Sequence, residues 1–171
     1  MEIEQLNKLD EDALTAGFLK CCSSVNWVSQ LIDKRPFKSK DELFLTAKKI
    51  WSEKCDRTDW LEAFKAHPKI GDINSLAKKF AGTKNWSSNE QAGVKAASMK
   101  TLGALAVGNE NYEQRFGYIF IVCATGKSAA EMLRILNSRI NNTPEKEILI
   151  AMQEQHKITE IRIKKWLMNN V

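Results

Sequence analysis

The chain is sparing with the residues that usually carry side-chain chemistry. Its 171 residues include two histidines, three prolines, two tyrosines and four cysteines. The cysteines, Cys21, Cys22, Cys55 and Cys123, form no CxxC pair and no metal-ligand spacing, so neither a zinc site nor a disulfide framework is expected. A bridge between the neighbours Cys21 and Cys22 would be strained, and all four read as reduced thiols. Long apolar runs are missing too. The longest, Tyr118 to Ala124, is far short of the roughly 20 residues a membrane-spanning helix needs. The first residues lack the basic-then-apolar order of a secretory leader, and Met168-Asn169-Asn170-Val171 is no peroxisomal address. A cytoplasmic location, away from membranes, is the expectation. Internal repeats, low-complexity stretches and linker-like segments are also lacking.

What is present is ordinary globular material. Hydrophobic residues make up 43% and charged residues 27%, enough apolar content for one domain over residues 1–171 with its own core. The net charge of +5 is spread as pairs, Lys48-Lys49, Lys78-Lys79 and Lys164-Lys165, each on a different predicted helix. A nucleic-acid surface clusters its charge on one face, so no nucleic-acid partner is expected. Each pair taken alone reads as a solvated face, and a mildly cationic protein also helps attract a small anion.

Helical periodicity dominates. Asp10 caps a helix carrying Leu14, Phe18 and Leu19. Trp27, Val28, Leu31 and Ile32 form a second stripe, ended by Arg35-Pro36-Phe37, which reads as a helix junction. Ser39 and Glu42 form a capping box ahead of Leu43, Ala47, Ile50 and Trp51. Trp60, Leu61 and Phe64 share a face of a short helix that proline forces to end at or just before His67. Asn74 starts a brief helix to Phe80. Ser87 and Glu90 box a long helix that Gly108 is expected to stop near Val107. Ser128 and Glu131 box the next, and Thr143-Pro144-Glu145 opens a final helix to about Leu167. Phe116 to Ala124 has the residues of a strand. A lone strand leaves its backbone groups unsatisfied, so a buried helix is expected there. The result is an all-α domain of about eight helices.

The stretch His67-Pro68-Lys69-Ile70-Gly71-Asp72 holds most of the functional signal. Histidine alone has an unperturbed pKa suited to proton exchange near neutrality. Here it sits between a stiffening proline and a releasing glycine, which suits a positioned acid–base group; capping of helix carbonyls is the plainer reading. His156, inside the last helix, reads as structural. Ser87 and Glu90 need no active site to explain them, because S-x-x-E is a helix cap. Trp27, Trp51, Trp60 and Trp166 read as core, while Trp86 adjoins the Ser87 motif.

These segments taken together resemble the 2-oxo-4-hydroxy-4-carboxy-5-ureidoimidazoline (OHCU) decarboxylase family. The likeness rests on Trp27, Arg35-Pro36-Phe37, Leu61-Glu62-Ala63-Phe64 with the His67 motif, Ser87-Ser88-Asn89-Glu90-Gln91, Arg115 through Ala124, and Lys157-Ile158-Thr159-Glu160-Ile161-Arg162. The resemblance implies an all-helical homodimeric carboxy-lyase of urate breakdown, working on a small anionic substrate without metal or organic cofactor. It makes His67 and Glu90 the catalytic pair. It places Pro68, Ser87, Ser88, Asn89 and Gln91 against the substrate, with the loop Thr125, Gly126, Lys127 and Ser128. Thr125 stands where many members carry an arginine; Gly126 still permits close backbone approach and Lys127 can supply charge. Three rivals remain in view. A non-catalytic helical module would show a degraded site, a nucleic-acid binder would show steeply salt-dependent binding, and a decarboxylase of another ureido acid would use Thr125 to reshape its pocket.

Overall fold

Helix starts in this chain are written by short polar side chains. Asp10 Oδ1 accepts from the Ala13 amide at 2.7 Å, Ser24 Oγ from Trp27 at 3.3 Å and Ser39 Oγ from Glu42 at 3.1 Å. Each satisfies an amide that has no acceptor within its own helix. The computed structural model describes residues 1–67 and 88–169, with the side chains of 1–67 and 99–168. Among these residues there are eight helices and no strand: α1 Ile3–Asn7, α2 Glu11–Cys21, α3 Val25–Ile32, α4 Lys40–Glu53, α5 Arg57–Lys65, α6 Ser88–Phe116, α7 Ala129–Arg139 and α8 Pro144–Asn169. The all-α expectation holds. The helix expected from Asn74 to Phe80 lies outside the described residues. Helix α1 was not anticipated. No described helix is long and apolar enough to cross a membrane.

The chain divides into two compact units, Met1–His67 with Ile148–Val171, and Pro68–Glu147. The first is built on large side chains. Leu14 and Phe18 of α2, Trp27 and Leu31 of α3, and Leu43 and Trp51 of α4 are all buried. Burying each such group contributes about 1.5–3 kcal/mol. The indoles also satisfy their polar ends: Trp27 Nε1 donates to the Ala47 carbonyl at 3.0 Å, and Trp51 Nε1 to that of Met152 at 2.9 Å. Gly17 of α2 makes room for the Trp166 ring, which lies 2.1 Å from where a β-carbon would stand. The Arg35-Pro36-Phe37 segment is a junction, as expected. Arg35 donates to the carbonyls of Ile32 and Leu9, and Asn7 brackets both the amide and the carbonyl of Phe37.

The second unit corrects two expectations. Helix α6 does not stop at Gly108. Its buried stripe, Leu102, Leu105, Asn109, Tyr112 and Phe116, keeps three- and four-residue spacing straight through that glycine. Gly108 instead lies close against α7, where a β-carbon would stand 2.9 Å from Leu136 Cδ2. The stop comes at Gly117, whose φ of +79° suits glycine and whose amide closes on the Glu113 carbonyl at 2.8 Å.

The segment from Phe116 to Ala124 is the second correction. It is not a buried helix. After Phe116 the chain runs without regular structure, although Tyr118, Phe120, Ile121, Val122 and Cys123 are all buried. Two of its carbonyls accept from side chains. Arg139 Nη1 donates to Ile121 O at 2.9 Å, and Lys127 Nζ to Cys123 O at 2.7 Å. Arg139 is itself buried and paired with Glu147, its Nε 2.7 Å from Glu147 Oε1. Tyr112 Oη donates to the same carboxylate oxygen at 2.5 Å, and Asn142 holds the other at 2.7 Å. The guanidinium lies 4.8 Å from the Phe120 ring centre, a cation–π contact.

Candidate active site

His67 is placed by the end of α5. Asp56 caps the start of that helix, accepting from Thr58 and Asp59. Phe64 anchors its last turn in the core, and the His67 amide donates to the Phe64 carbonyl at 3.1 Å. The helix therefore ends where proline at 68 requires. The imidazole is half-buried, and its Nε2 lies 2.5 Å from Gln155 Oε1 of α8.

Gln155 is completely buried, and its amide nitrogen donates to Thr159 Oγ1 at 3.2 Å. Thr159, also buried, in turn meets the Cys22 thiol, which burial holds protonated, its pKa pushed up to about 11. A line of polar groups thus leads from His67 through α8 to the end of α2. Sequence reasoning missed Gln155 and Thr159. A signal was there. Ile148, Met152, Gln155, Thr159 and Ile163 fall on one buried stripe, and a glutamine on such a stripe requires hydrogen-bond partners.

The other expected site residues belong to the second unit or lie outside the description. Pro68 and Ser87 are outside it. Ser88, Asn89, Glu90 and Gln91 form, by their backbone, the first turn of α6. Thr125 and Gly126 make an exposed turn, with Gly126 at a φ of +76°. Lys127 folds its ammonium back onto Cys123 O. Ser128 caps α7: its hydroxyl accepts from the Glu131 amide at 3.3 Å, and its own amide donates to Glu131 Oε2 at 2.8 Å. Those hydrogen bonds, the backbone one foremost, hold the Glu131 carboxyl below its usual range.

His156 is half-buried, its Nδ1 has no hydrogen-bond partner among the described residues, and desolvation lowers its pKa. No described group of three or more His, Cys, Asp or Glu side chains is arranged to hold a metal ion.

A histidine fixed at a helix end and held through one ring nitrogen by a buried amide, in an all-helical scaffold, has the geometry that acid–base chemistry requires. Comparison with known proteins gives that class its family. The family model described as OHCU decarboxylase matches residues 7–164, and the chain belongs to the OHCU decarboxylase family. It is 39% identical over 145 residues to the uric acid degradation bifunctional protein TTL of Arabidopsis thaliana, covering 85% of this chain but 44% of that protein. It is 27% identical over 164 residues to a 2-oxo-4-hydroxy-4-carboxy-5-ureidoimidazoline decarboxylase of Haloferax volcanii, covering 95% of this chain and 94% of the relative. A crystal structure of an OHCU decarboxylase in the presence of (S)-allantoin superposes with a TM-score of 0.68 at 37% identity, over 86% of this chain and 94% of that one. An (S)-allantoin synthase structure, at 17% identity and a TM-score of 0.71, shares the fold.

Proposed function

We propose that residues 1–171 form one OHCU decarboxylase domain that converts OHCU to (S)-allantoin in urate degradation, with His67 as the general acid–base group. The observation that carries His67's role is how it is held, by backbone at the end of α5 and by Nε2 on the fully buried Gln155. The family match over residues 7–164 supports the reaction.

The substrate carries a carboxylate on a ring carbon that also bears a hydroxyl, beside a C=N unit. When the carboxylate leaves as CO2, its bonding electron pair passes to that carbon, and the adjacent C=N accepts it. The substrate contains its own electron sink, so a protein that positions groups and moves protons suffices. His67 takes the hydroxyl proton, a contribution of about 10²–10⁴-fold for a well-placed base. Protonation of the intermediate on one face then gives the S product. Glu90 orients His67 or binds the ring and ureido N–H groups, while Ser87 and Gln91 hold the amide-like edges. The helix start at Ser88 offers backbone N–H donors to an anionic group, with Pro68, Asn89 and the Thr125 to Ser128 turn as further substrate contacts. The enzyme works in the cytoplasm as a homodimer.

The test generates OHCU in place from urate with the two preceding enzymes and follows (S)-allantoin by circular dichroism. The wild-type protein should produce the S signal quickly, and folded His67→Ala should not exceed spontaneous decay. Near-normal turnover by His67→Ala removes the assigned role. A well-folded wild type with no acceleration overturns the substrate assignment.

A further inference from the structure

Histidine has two ring nitrogens, and a neutral imidazole carries its proton on one of them. Which one is set by the hydrogen bond the other atoms of the ring are offered. In this chain the partner of Nε2 is on α8, 88 residues further along the sequence. We propose that Gln155 is a positioning residue whose side-chain carbonyl holds the proton of neutral His67 on Nε2, so that Nδ1 presents the lone pair that accepts the substrate hydroxyl proton. The proposal rests on His67 acting as the base.

The direction of the hydrogen-bond line carries the argument. Gln155 has one accepting end and one donating end. Its nitrogen donates to Thr159 Oγ1, and its oxygen faces His67 Nε2 at 2.5 Å. With its oxygen already accepting from Gln155, the Thr159 hydroxyl is left to donate, and the Cys22 thiol lies beside it. Every donor in the line then points away from His67, and its start is an N–H on His67 Nε2. The opposite polarity would have to begin at the Cys22 S–H, a weak donor. In that arrangement the Gln155 amide N–H would donate to a bare Nε2 and the ring proton would sit on Nδ1.

Burial makes the orientation firm. Gln155 has no exposed surface and Thr159 is 3% exposed, so water cannot replace a lost partner, and turning the amide would break both of its hydrogen bonds at once. A neutral amide also has a particular effect. It fixes the ring and its tautomer without adding a charge beside the base, unlike a carboxylate in the same place.

The experiment uses the full chain labelled with 15N in its histidines, the His67 signals being distinguished with His156→Gln. At a pH where His67 is neutral, the wild type should show Nε2 protonated and Nδ1 bare. Gln155→Met keeps the length of the side chain but removes the acceptor. It should give a mixture of tautomers and lower kcat by roughly tenfold to a hundredfold, with little change in KM. Gln155→Glu restores an accepting oxygen and should recover the Nε2–H signature and more of kcat than Gln155→Met. A wild-type His67 protonated on Nδ1 overturns the proposal, as does a Gln155→Met protein with unchanged kcat and tautomer. If Gln155→Met fails to fold, the wild-type spectrum and Gln155→Glu decide. His67→Ala assayed alongside separates the two claims. Retained turnover there removes the base, whereas loss of turnover there with full activity in Gln155→Met removes the positioning role alone.

Discussion

The guanidinium of Arg139 reaches back 18 residues to the carbonyl of Ile121, at 2.9 Å, while its Nη2 lies 2.6 Å from Glu147 Oε1. One buried side chain therefore supplies the Ile121 carbonyl with the donor that a neighbouring strand would give it elsewhere. Removing it leaves a carboxylate with no exposed surface and an unsatisfied backbone carbonyl. Arg139→Met should cost about 3–5 kcal/mol, the range for breaking a buried ion pair from one side. Glu147→Gln, which keeps the shape and one acceptor, should cost less. Urea unfolding of the three proteins measures the order.

Gly17→Ala is the sharpest packing test. Alanine favours a helix interior over glycine by about 1 kcal/mol. At this site its β-carbon would fall 2.1 Å from Trp166 Cζ2, and that ring is also held edge-on to Phe18 at 5.1 Å. An indole cannot bend aside as an aliphatic end can. The substitution should therefore destabilise by about 1–3 kcal/mol, seen as a lower urea midpoint with an unchanged slope.

The cysteines of the first unit should be poor nucleophiles. Burial pushes Cys21 and Cys55 up to about 12 and Cys22 up to about 11, so the thiolate that reacts is scarce at pH 8. A thiol reagent should label these three slowly in the native protein and quickly in urea. The same shifts give a direction to alkaline stability. The folded values lie above the unfolded value of 9.0, so stability from the neutral thiols is intact below about pH 9 and falls as the pH rises towards 11 and 12.

His156 gives the opposite signature in acid. Desolvation, with a smaller push from Lys48, lowers its pKa below the unfolded value of 6.5, while Glu160 acts against it. Its contribution is therefore complete above about pH 6.5 and is lost as the pH falls, because the unfolded chain takes the proton first. His156→Gln should flatten the stability profile between pH 6.5 and the acid limb while leaving allantoin formation intact. An unchanged profile would mean that the histidine ionises alike in both states.

Much of this architecture is legible from local signals. Asp10, Ser39 and Ser128 start helices where their side chains can reach the amides three residues on, as the structure bears out. Contacts between distant parts of the chain are what local patterns miss. Gly108 looks like a terminator until Leu136 is seen beside it, and Tyr118–Ala124 looks like a helix until Arg139 and Lys127 are seen on the carbonyls of Ile121 and Cys123. In the candidate site His67 stands out by its neighbours in sequence. Gln155 does not, because its significance comes from a partner 88 residues away and the adjacent His156 is the more conspicuous residue. A polar residue on an apolar stripe was the available clue.

The distribution of aromatic residues gives the protein a built-in pair of optical labels. Trp27, Trp51, Trp60 and Trp166 lie in the first unit, with Trp86 the fifth tryptophan, whereas both tyrosines, Tyr112 and Tyr118, lie in the second. Indole emission consequently follows mainly the body that carries His67. Tyrosine absorbance follows the body that carries the Arg139–Glu147 pair. The two signals, recorded on one sample, reveal whether the two bodies melt together or one before the other.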